Sequence, residues 1–488
     1  MSATAGYNSV PYQEITNDTG RVFRVGETPR DILGHGRWVP LMAGWLAMCL
    51  AGLLEYTWGA LSGSLQATHH WNTAWTFWLF SFFVVFESFV QPLTGYLRTR
   101  GLLPVRYAVM IGGVVCGIVG YGLLALSGNL AVNYLGYAVL GGIGSGMVYS
   151  SAINIVLKWY PEKKGFRTGF LNGGWAYGSV PFILAIGGFN TGGGAVGTLT
   201  AGQLKTFILW QGIIMTVGIV GAGFFMKDPP RNWWPKEVNP LDPSNFKHIA
   251  RDLAANPPAF RHYRPGEMWR MPQPKWMGLQ FACYIGCSLF GVAYYFPFAS
   301  AEHLGYWGAA GGAAGFALCD GIGRPIYGFI SSFIGRRRTM IYAYSLNVVF
   351  TMLAYVAGVN HIPALFGIFA IISGALGGCN FPMTAAMVSD YFGETNNAVN
   401  YGTVYQFKAL GGSFAGGLAA FIMTGTLYGT PAFHWLFGFV FGSCLGAIAV
   451  IIVYFGCRPP TIDQMERAFA GAEAARAAKA RQPREAVA

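Results

Sequence analysis

The stretch Asp320-Gly-Ile-Gly-Arg324-Pro325-Ile-Tyr-Gly328 places an acid and a base one helical turn apart in an apolar segment. Between Tyr306 and Ile334, Asp320 and Arg324 are the only charged side chains. A segment of that length and composition predicts a membrane-spanning helix. Because an ionised side chain in such a helix costs roughly 3 kcal/mol or more, both residues are candidates for a functional site.

The same stretch has a counterpart near the start of the chain, Glu87-Ser-Phe-Val-Gln91-Pro92-Leu-Thr-Gly95. The acid, the proline and the glycine recur at a constant separation of 233 residues, as position 320 follows position 87, and Gln91 aligns with Arg324. The repeat predicts one six-helix module used twice in the same orientation. This is the parallel-repeat plan of the major facilitator fold.

Composition supports a polytopic membrane protein, because 53% of the residues are hydrophobic and only 11% are charged. The fold class that we predict is an all-α membrane protein with twelve transmembrane helices in two six-helix bundles, embedded in a lipid bilayer. The formal charge of +12 does not indicate nucleic acid as a partner, since all but three of the 32 Lys and Arg residues lie in loops and tails on one predicted face.

Short cytoplasmic loops are rich in Lys and Arg, so this basic face predicts a multi-pass protein with both termini in the cytoplasm. We expect a plasma membrane location, the bacterial inner membrane, and a functional monomer. The predicted organisation is an N-terminal tail (1–37), a first bundle (38–226), a central loop (227–275), a second bundle (276–457) and a C-terminal tail (458–488). Trp233 and Trp234 of the central loop are expected at the membrane interface.

Two cations are predicted inside the membrane, Arg324 in helix 8 and Lys408 in helix 11. Arg324 precedes Arg336 by twelve residues, roughly 18 Å of helix, which places it near mid-depth. Substrate sites of this fold lie near the bilayer midplane between the two halves. Two buried cations there predict a small anion with one or two negative charges as the substrate.

Three acids also fall in apolar segments. Asp320 is expected to pair with Arg324 and is the most plausible proton carrier, while the competing interpretation is that it only neutralises Arg324. Glu87, beside Gln91, is a candidate for proton coupling or gating, or a structural acid. Glu55 is expected toward the outer end of helix 1, and no interior acid is near enough in sequence to pair with Lys408.

The remaining features exclude other chemistry. No phosphate-binding G-x-x-x-x-G-K-[ST] motif occurs, so ATP is not the expected energy source. The cysteines and histidines lack the spacing of metal ligands, so we predict no metal site. We also predict that the protein has no cofactor and is not an enzyme. Interior aromatic residues shape such pockets, although packing is the commoner role for any one of them. The candidates in this sequence are Tyr56, Trp58, Tyr149, Trp175 and Tyr177.

Several motifs resemble the oxalate/formate antiporter family of the major facilitator superfamily over all twelve predicted helices. They are Gly142-Ile-Gly144-Ser-Gly146-Met-Val-Tyr149, Asp228-Pro229-Pro230, Asp390-Tyr391-Phe392-Gly393 and Asn400-Tyr401-Gly402 leading to Lys408. The resemblance implies that Arg324 and Lys408 bind the carboxylates of oxalate and that Tyr56 and Tyr149 line the site. Trp175 is a further substrate-binding candidate from the interior aromatics alone. The element Asp320-x-x-x-Arg324-Pro325-x-x-Gly328 instead resembles the proton-coupled monocarboxylate transporters.

The sequence departs from the family in its loops, because Thr99 and Ser332 stand where an Asp is usual after helices 2 and 8. The preferred hypothesis is exchange of oxalate for formate, or of similar carboxylates, by alternating access. The alternative is symport of a proton with lactate, pyruvate, formate or acetate. Proton-driven efflux and a transporter-like sensor are weaker hypotheses that the sequence leaves open.

Overall fold

The computed structural model describes residues 12–16, 22–160, 164–189, 196, 198–238, 255–256, 262–393, 396–424 and 434–481. Parts of the predicted tails and of the central loop, including 239–254 and 482–488, therefore lie outside the described residues. The described chain is almost entirely helical.

The helices follow the predicted plan and are labelled α1 to α12 here. They are α1 (38–69), α2 (Thr73–Thr99), α3 (Val105–Leu126), α4 (Leu130–Trp159), α5 (164–188), α6 (Ala201–Phe224), α7 (Gln273–Ala301), α8 (307–334), α9 (Arg336–Val359), α10 (Pro363–Phe392), α11 (397–423) and α12 (Trp435–Phe455). A further helix, α13 (Ile462–Arg481), follows the second bundle.

Nine helices of the described chain are long and apolar enough to cross a membrane. The others in the plan are α5, α8 and α11. Helices α5 and α11 are divided into shorter segments, and α8 and α11 carry the buried cations Arg324 and Lys408. These three helices, which are interrupted or carry buried charges, thus all contain candidate site residues.

The predicted repeat is visible in α2 and α8. Each helix contains an internal proline, Pro92 in α2 and Pro325 in α8. One turn before each proline, the acid accepts a hydrogen bond from the residue four positions later: Glu87 from Gln91 at 2.7 Å and Asp320 from Arg324 at 2.9 Å. The two halves therefore use the same local arrangement with different side chains.

Glycines bring the helices of the first half into close contact, as small residues do in membranes. A Cβ atom at Gly144 of α4 would lie 2.6 Å from both Cys116 N and Gly112 O of α3. A Cβ atom at Gly146 would lie 2.3 Å from the carbonyl oxygen of Glu87 in α2. The glycine-rich motif of α4 is thus a contact face that also positions the backbone of Glu87.

In the described chain, the contacts between the two halves include three close helix pairs. Between α5 and α8, a Cβ atom at Gly173 would lie 2.5 Å from Gly321 O, and between α1 and α7, one at Gly59 would lie 2.5 Å from Val292 O. Between α2 and α11, Ser81 Oγ donates to Gly412 O at 2.9 Å. These contacts enclose the middle of the molecule, where the interior charges lie.

The segments outside the bundles pack on the face where α4 ends and α7 begins. Strand β1 (Gln13–Thr16) pairs antiparallel with β2 (Val22–Val25), which pairs in parallel with β3 (Trp233–Trp234). Both tryptophans are buried, at 4% and 5% exposure, and Trp233 packs against Trp159 with ring centroids 5.0 Å apart. The protein itself covers both rings, and their position at the membrane interface stays a prediction.

An ion-pair cluster holds α2, α4 and the end of α6 together on this face. Asp228 accepts hydrogen bonds from Arg98 at 3.0 Å and from Lys158 at 2.8 Å. Burial acts to raise the pKa of the Asp228 carboxyl, but the charges of Arg98 and Lys158 outweigh burial and hold that pKa below its usual value.

We predict that Gly144→Ala lowers the unfolding temperature of the detergent-solubilised protein, because backbone atoms of α3 block the added methyl group. Overpacking of this kind typically costs about 1–3 kcal/mol. The matched control is Gly122→Ala in α3, where no atom lies within 4 Å of the added Cβ. Equal unfolding temperatures for the two variants would contradict this packing.

We also predict that Asp228→Asn lowers the unfolding temperature at pH 7 and that the difference from wild type shrinks toward pH 3. A carboxyl whose pKa is depressed in the folded state stabilises it above the unfolded value of about 3.9, and this contribution disappears as pH falls through the folded value. Asp463→Asn is the control, since the Asp463–Arg467 pair is exposed. A deficit that is independent of pH would refute the assignment.

Candidate functional site

The interior charges lie where α1, α2, α5, α8, α10 and α11 converge. Among the described residues, the site contains two cations, Arg324 and Lys408, and three acids, Glu55, Glu87 and Asp320. None of the five is more than 1% exposed. Charges that deep must be paired, because desolvation costs several kcal/mol per ion.

Arg324 is held by partners from both halves. Its Nη2 atom donates to Asp320 Oδ2 at 2.9 Å and to the Tyr56 hydroxyl at 3.1 Å. Its Nη1 atom donates to the backbone oxygen and to Oδ1 of Asn172, both at 2.8 Å. The Tyr56 hydroxyl donates to Asp320 Oδ2, so the acid, the base and the phenol form a closed triangle.

Lys408 is held by two carboxylates from the first half. Its Nζ atom lies 2.9 Å from Glu55 Oε2 and 3.1 Å from Glu87 Oε2. The indole Nε1 of Trp175 also donates to Glu55 Oε2, at 3.1 Å. Helices α1, α2 and α5 of the first half thus meet α11 of the second at one ammonium group.

This arrangement corrects two expectations about the acids. Lys408 does have interior acids to pair with, although 353 and 321 residues separate it from Glu55 and Glu87 in sequence. Glu55 does not point toward the outer end of helix 1 but reaches the Lys408 ammonium. The reason is that residues 52 and 57 divide α1 into short segments around Leu53–Tyr56, and this segment places Glu55 and Tyr56 beside α11 and α8.

Aromatic rings line the space around the cations. The Phe381 ring lies 4.4 Å from the Arg324 guanidinium carbon and 5.9 Å from Lys408 Nζ, so both cations face one wall. Trp175 and Tyr405 lie 5.5 Å and 5.7 Å from Lys408 Nζ. At these distances ring faces stabilise a cation.

Three polar atoms in this site have no hydrogen-bond partner: Glu55 Oε1, Asp320 Oδ1 and Arg324 Nε. Buried groups without partners destabilise a protein by about 1–3 kcal/mol each and often mark functional sites. With every group ionised, three negative charges face two positive charges. The described site is therefore one positive charge short of neutrality.

All of the predicted site residues come together in the structure. Arg324 contacts Asp320 and Tyr56, and Lys408 contacts Glu87 and lies near Trp175. Tyr149 donates to Asn172 Oδ1 at 3.2 Å and packs edge-on against Trp175, and Gln91 donates to Glu87. Of the two other interior aromatics, Trp58 stacks on Tyr137 in the core, and the partly buried Tyr177 accepts a hydrogen bond from Trp45.

Sequence reasoning missed Asn172, Phe381 and Tyr405. Asn172 and Tyr405 could have been found, because each lies three residues before a predicted site residue, Trp175 or Lys408, and so shares its helix face. Phe381 gave no comparable signal, since an aromatic residue in an apolar helix is ordinary.

Comparison with known proteins agrees with this architecture. The sequence matches the family model described as Major Facilitator Superfamily over residues 44–314 and 308–481. The structure resembles the crystal structure of a D-xylose-proton symporter with a TM-score of 0.63 and 13% sequence identity, covering 86% of this chain and 97% of the other. At that identity the likeness concerns the fold alone.

Two relatives connect the sequence to carboxylate transporters. The oxalate:formate antiporter of Oxalobacter formigenes is 26% identical over 433 residues, which cover 87% of this chain and 92% of that protein. The monocarboxylate transporter 14 of Mus musculus is 25% identical over 157 residues, covering 32% of this chain and 30% of that protein. The first similarity spans both halves, whereas the second spans a limited segment.

We predict that Lys408→Met destabilises the protein in detergent, because it leaves two buried carboxylates without their cation. Loss of one partner of a buried pair typically costs about 3–5 kcal/mol. Adding Glu55→Gln to Lys408→Met should restore part of the lost unfolding temperature by removing one of the two carboxylates. Lys205→Met, at an exposed position of α6, is the control. An unfolding temperature unchanged by Lys408→Met would contradict the pairing.

Proposed function

The chain belongs to the Major Facilitator Superfamily and is a transporter, and on that premise we propose that it carries small carboxylate anions across a membrane by alternating access. The observation that carries this proposal is a pair of fully buried cations, Arg324 and Lys408, at the contact of the two halves. Each is held by carboxylates of the protein, so the site already accommodates the chemical group that we propose as substrate.

The roles of the residues follow from their contacts. The planar guanidinium of Arg324 suits bidentate binding of a carboxylate, whereas the Lys408 ammonium acts as a point charge. Tyr56 donates a hydrogen bond, and Tyr149 and Trp175 line the pocket with Phe381. Gln91 orients Glu87, one of the two carboxylates that bind Lys408.

The charge balance favours proton coupling. The site has three acids for two cations, so adding a substrate anion without a proton would leave a second uncompensated negative charge in a poorly solvated space. If an acid is protonated as its cation turns to the substrate, the charge of the site does not change. Symport of a proton with a monocarboxylate such as lactate, pyruvate, formate or acetate meets this requirement.

Exchange of oxalate for formate is the second candidate, supported by the similarity to the Oxalobacter antiporter along most of the chain. A dianion has two carboxylate groups for the two cations. Obligatory exchange would follow if an empty carrier left its cations unpaired. In the described structure both cations have carboxylate partners, so their charges do not by themselves prevent an empty carrier from reorienting.

We further propose the orientation that the basic residues predict. The face carrying β1–β3, Asp228 and α13 would then lie in the cytoplasm of a bacterial inner membrane, with both termini on that side. We propose that the monomer is the transporting unit, since residues of a single chain build the whole described site.

Uptake into proteoliposomes tests the function. We predict that wild-type vesicles exchange labelled lactate or labelled oxalate for unlabelled internal carboxylate, and that Arg324→Gln and Lys408→Gln abolish this exchange. Lys205→Gln, at the exposed end of α6, should exchange as wild type does. The coupling mode is read from empty vesicles, where an inward proton gradient drives accumulation by symport only.

Two results would count against the proposal. Wild-type vesicles without carboxylate exchange would refute carboxylate transport. Exchange that persists in each of the single variants, Arg324→Gln and Lys408→Gln, would refute the assignment of the binding site. Dependence of uptake on internal carboxylate, with no response to a proton gradient, would select oxalate/formate exchange over symport.

A further inference from the structure

We propose that Glu55, and not Asp320, is the carboxylate that yields its cation to the substrate and takes up the transported proton. This inference rests on the proposed function, since it identifies the proton-binding residue of that carboxylate site. In the described structure Glu55 occupies the place on Lys408 that a substrate carboxylate takes.

The two glutamates on Lys408 differ in how firmly they are held as anions. Glu87 accepts hydrogen bonds on both oxygens: Gln91 at 2.7 Å and Tyr405 at 3.3 Å donate to Oε1, and Lys408 at 3.1 Å donates to Oε2. A carboxylate with several donors is stabilised in its charged form. Glu87 therefore keeps two donors, Gln91 and Tyr405, even if Lys408 turns away.

Glu55 lacks this support. Both of its donors, Lys408 and Trp175, bond to Oε2, while Oε1 has no partner and the residue is fully buried. If Lys408 turns to a substrate, the Trp175 indole is the one donor that Glu55 retains. A buried carboxylate in that condition binds a proton, and its unpartnered Oε1 atom is where the proton fits.

Asp320 also has an unpartnered oxygen, but the cation that it binds, Arg324, lies on the same helix. Asp320 and Arg324 are four residues apart on α8 and move together when one half of the protein moves against the other. Glu55 and Lys408 lie on α1 and α11, in different halves. Movement of the halves therefore strains the pairs that Lys408 makes with Glu55 and Glu87 and leaves the Asp320–Arg324 pair intact. Of the two glutamates, Glu55 has the fewer other donors.

The groups around Glu55 come from several helices. Helix α5 contributes Trp175, and no titratable side chain of that helix contacts Glu55 in the described structure. The titratable groups that face it are Tyr56 of its own helix, Lys408 and Tyr405 of α11, Glu87 of α2, Asp320 of α8 and Tyr137 of α4. Two of these are further carboxylates, which disfavour a third negative charge.

The step is balanced in charge. A monocarboxylate accepts the hydrogen bond that Lys408 gave to Glu55, and a proton from the aqueous side binds Glu55 Oε1. No covalent bond of the substrate forms or breaks. The site gains one negative and one positive charge, so the loaded and the empty site carry the same net charge as the halves move.

The test compares exchange with net accumulation for Glu55→Gln. The amide imitates the protonated acid, so we expect proteoliposomes with Glu55→Gln to retain exchange of labelled lactate and to lose lactate accumulation driven by an inward proton gradient. Glu87→Gln and Asp320→Asn should lose exchange and accumulation together, because they disturb the cations that bind the anion. Glu466→Gln, on the exposed surface of α13, should behave as wild type.

Each outcome decides the question. Accumulation by Glu55→Gln, or exchange without accumulation in Asp320→Asn, overturns the assignment to Glu55 while the proposed function stands. Failure of Glu55→Gln to exchange lactate, despite a wild-type unfolding temperature, also overturns it. Wild-type vesicles that exchange no lactate refute lactate transport itself, and with it this role for Glu55.

A measurement on wild-type protein does not depend on the folding of any variant. Addition of lactate to the protein in weakly buffered detergent solution, followed with a pH indicator, should show uptake of about one proton per lactate bound. The absence of proton uptake would overturn the proposal.

Discussion

The structure depends on one ammonium group held between two buried carboxylates. Lys408 of α11 binds Glu55 of α1 and Glu87 of α2, at 2.9 Å and 3.1 Å, where none of the three is more than 1% exposed. In so poorly solvated a place, removing any partner leaves an uncompensated charge. The cluster therefore ties the two halves together electrostatically, and under the proposed function an entering carboxylate replaces one of these contacts.

The internal repeat explains why the charges fall as they do. Gln91 and Trp175 of the first half align with Arg324 and Lys408 of the second at the same separation of 233 residues, so both cations belong to the second half. Two of the three acids, Glu55 and Glu87, belong to the first. The two repeats thus carry opposite net charge at the site, negative in the first half and positive in the second. Under the proposed function, carboxylates of the protein and of a substrate compete for the same two cations.

The sequence was sufficient for the helices and for part of the site. Apolar segments reveal spanning helices, and Arg324 and Lys408 stand out because charges are rare there. Asp320 could be paired with Arg324 because helical geometry brings positions four apart together. The partners of Lys408 could not be predicted, since no local rule relates positions more than 300 residues apart, and the interruption of α1 that turns Glu55 inward leaves no clear sequence signal. Likewise, nothing local predicted that Trp233 is covered by Trp159.

The central claim is that a substrate carboxylate replaces Glu55 on Lys408, and a structure of the protein with a bound monocarboxylate tests it most directly. The account predicts a substrate oxygen within hydrogen-bonding distance of Lys408 Nζ, with Glu55 displaced from that atom and Glu87 still bound to it. A structure in which the carboxylate binds elsewhere, while Lys408 keeps both glutamates, would contradict the account.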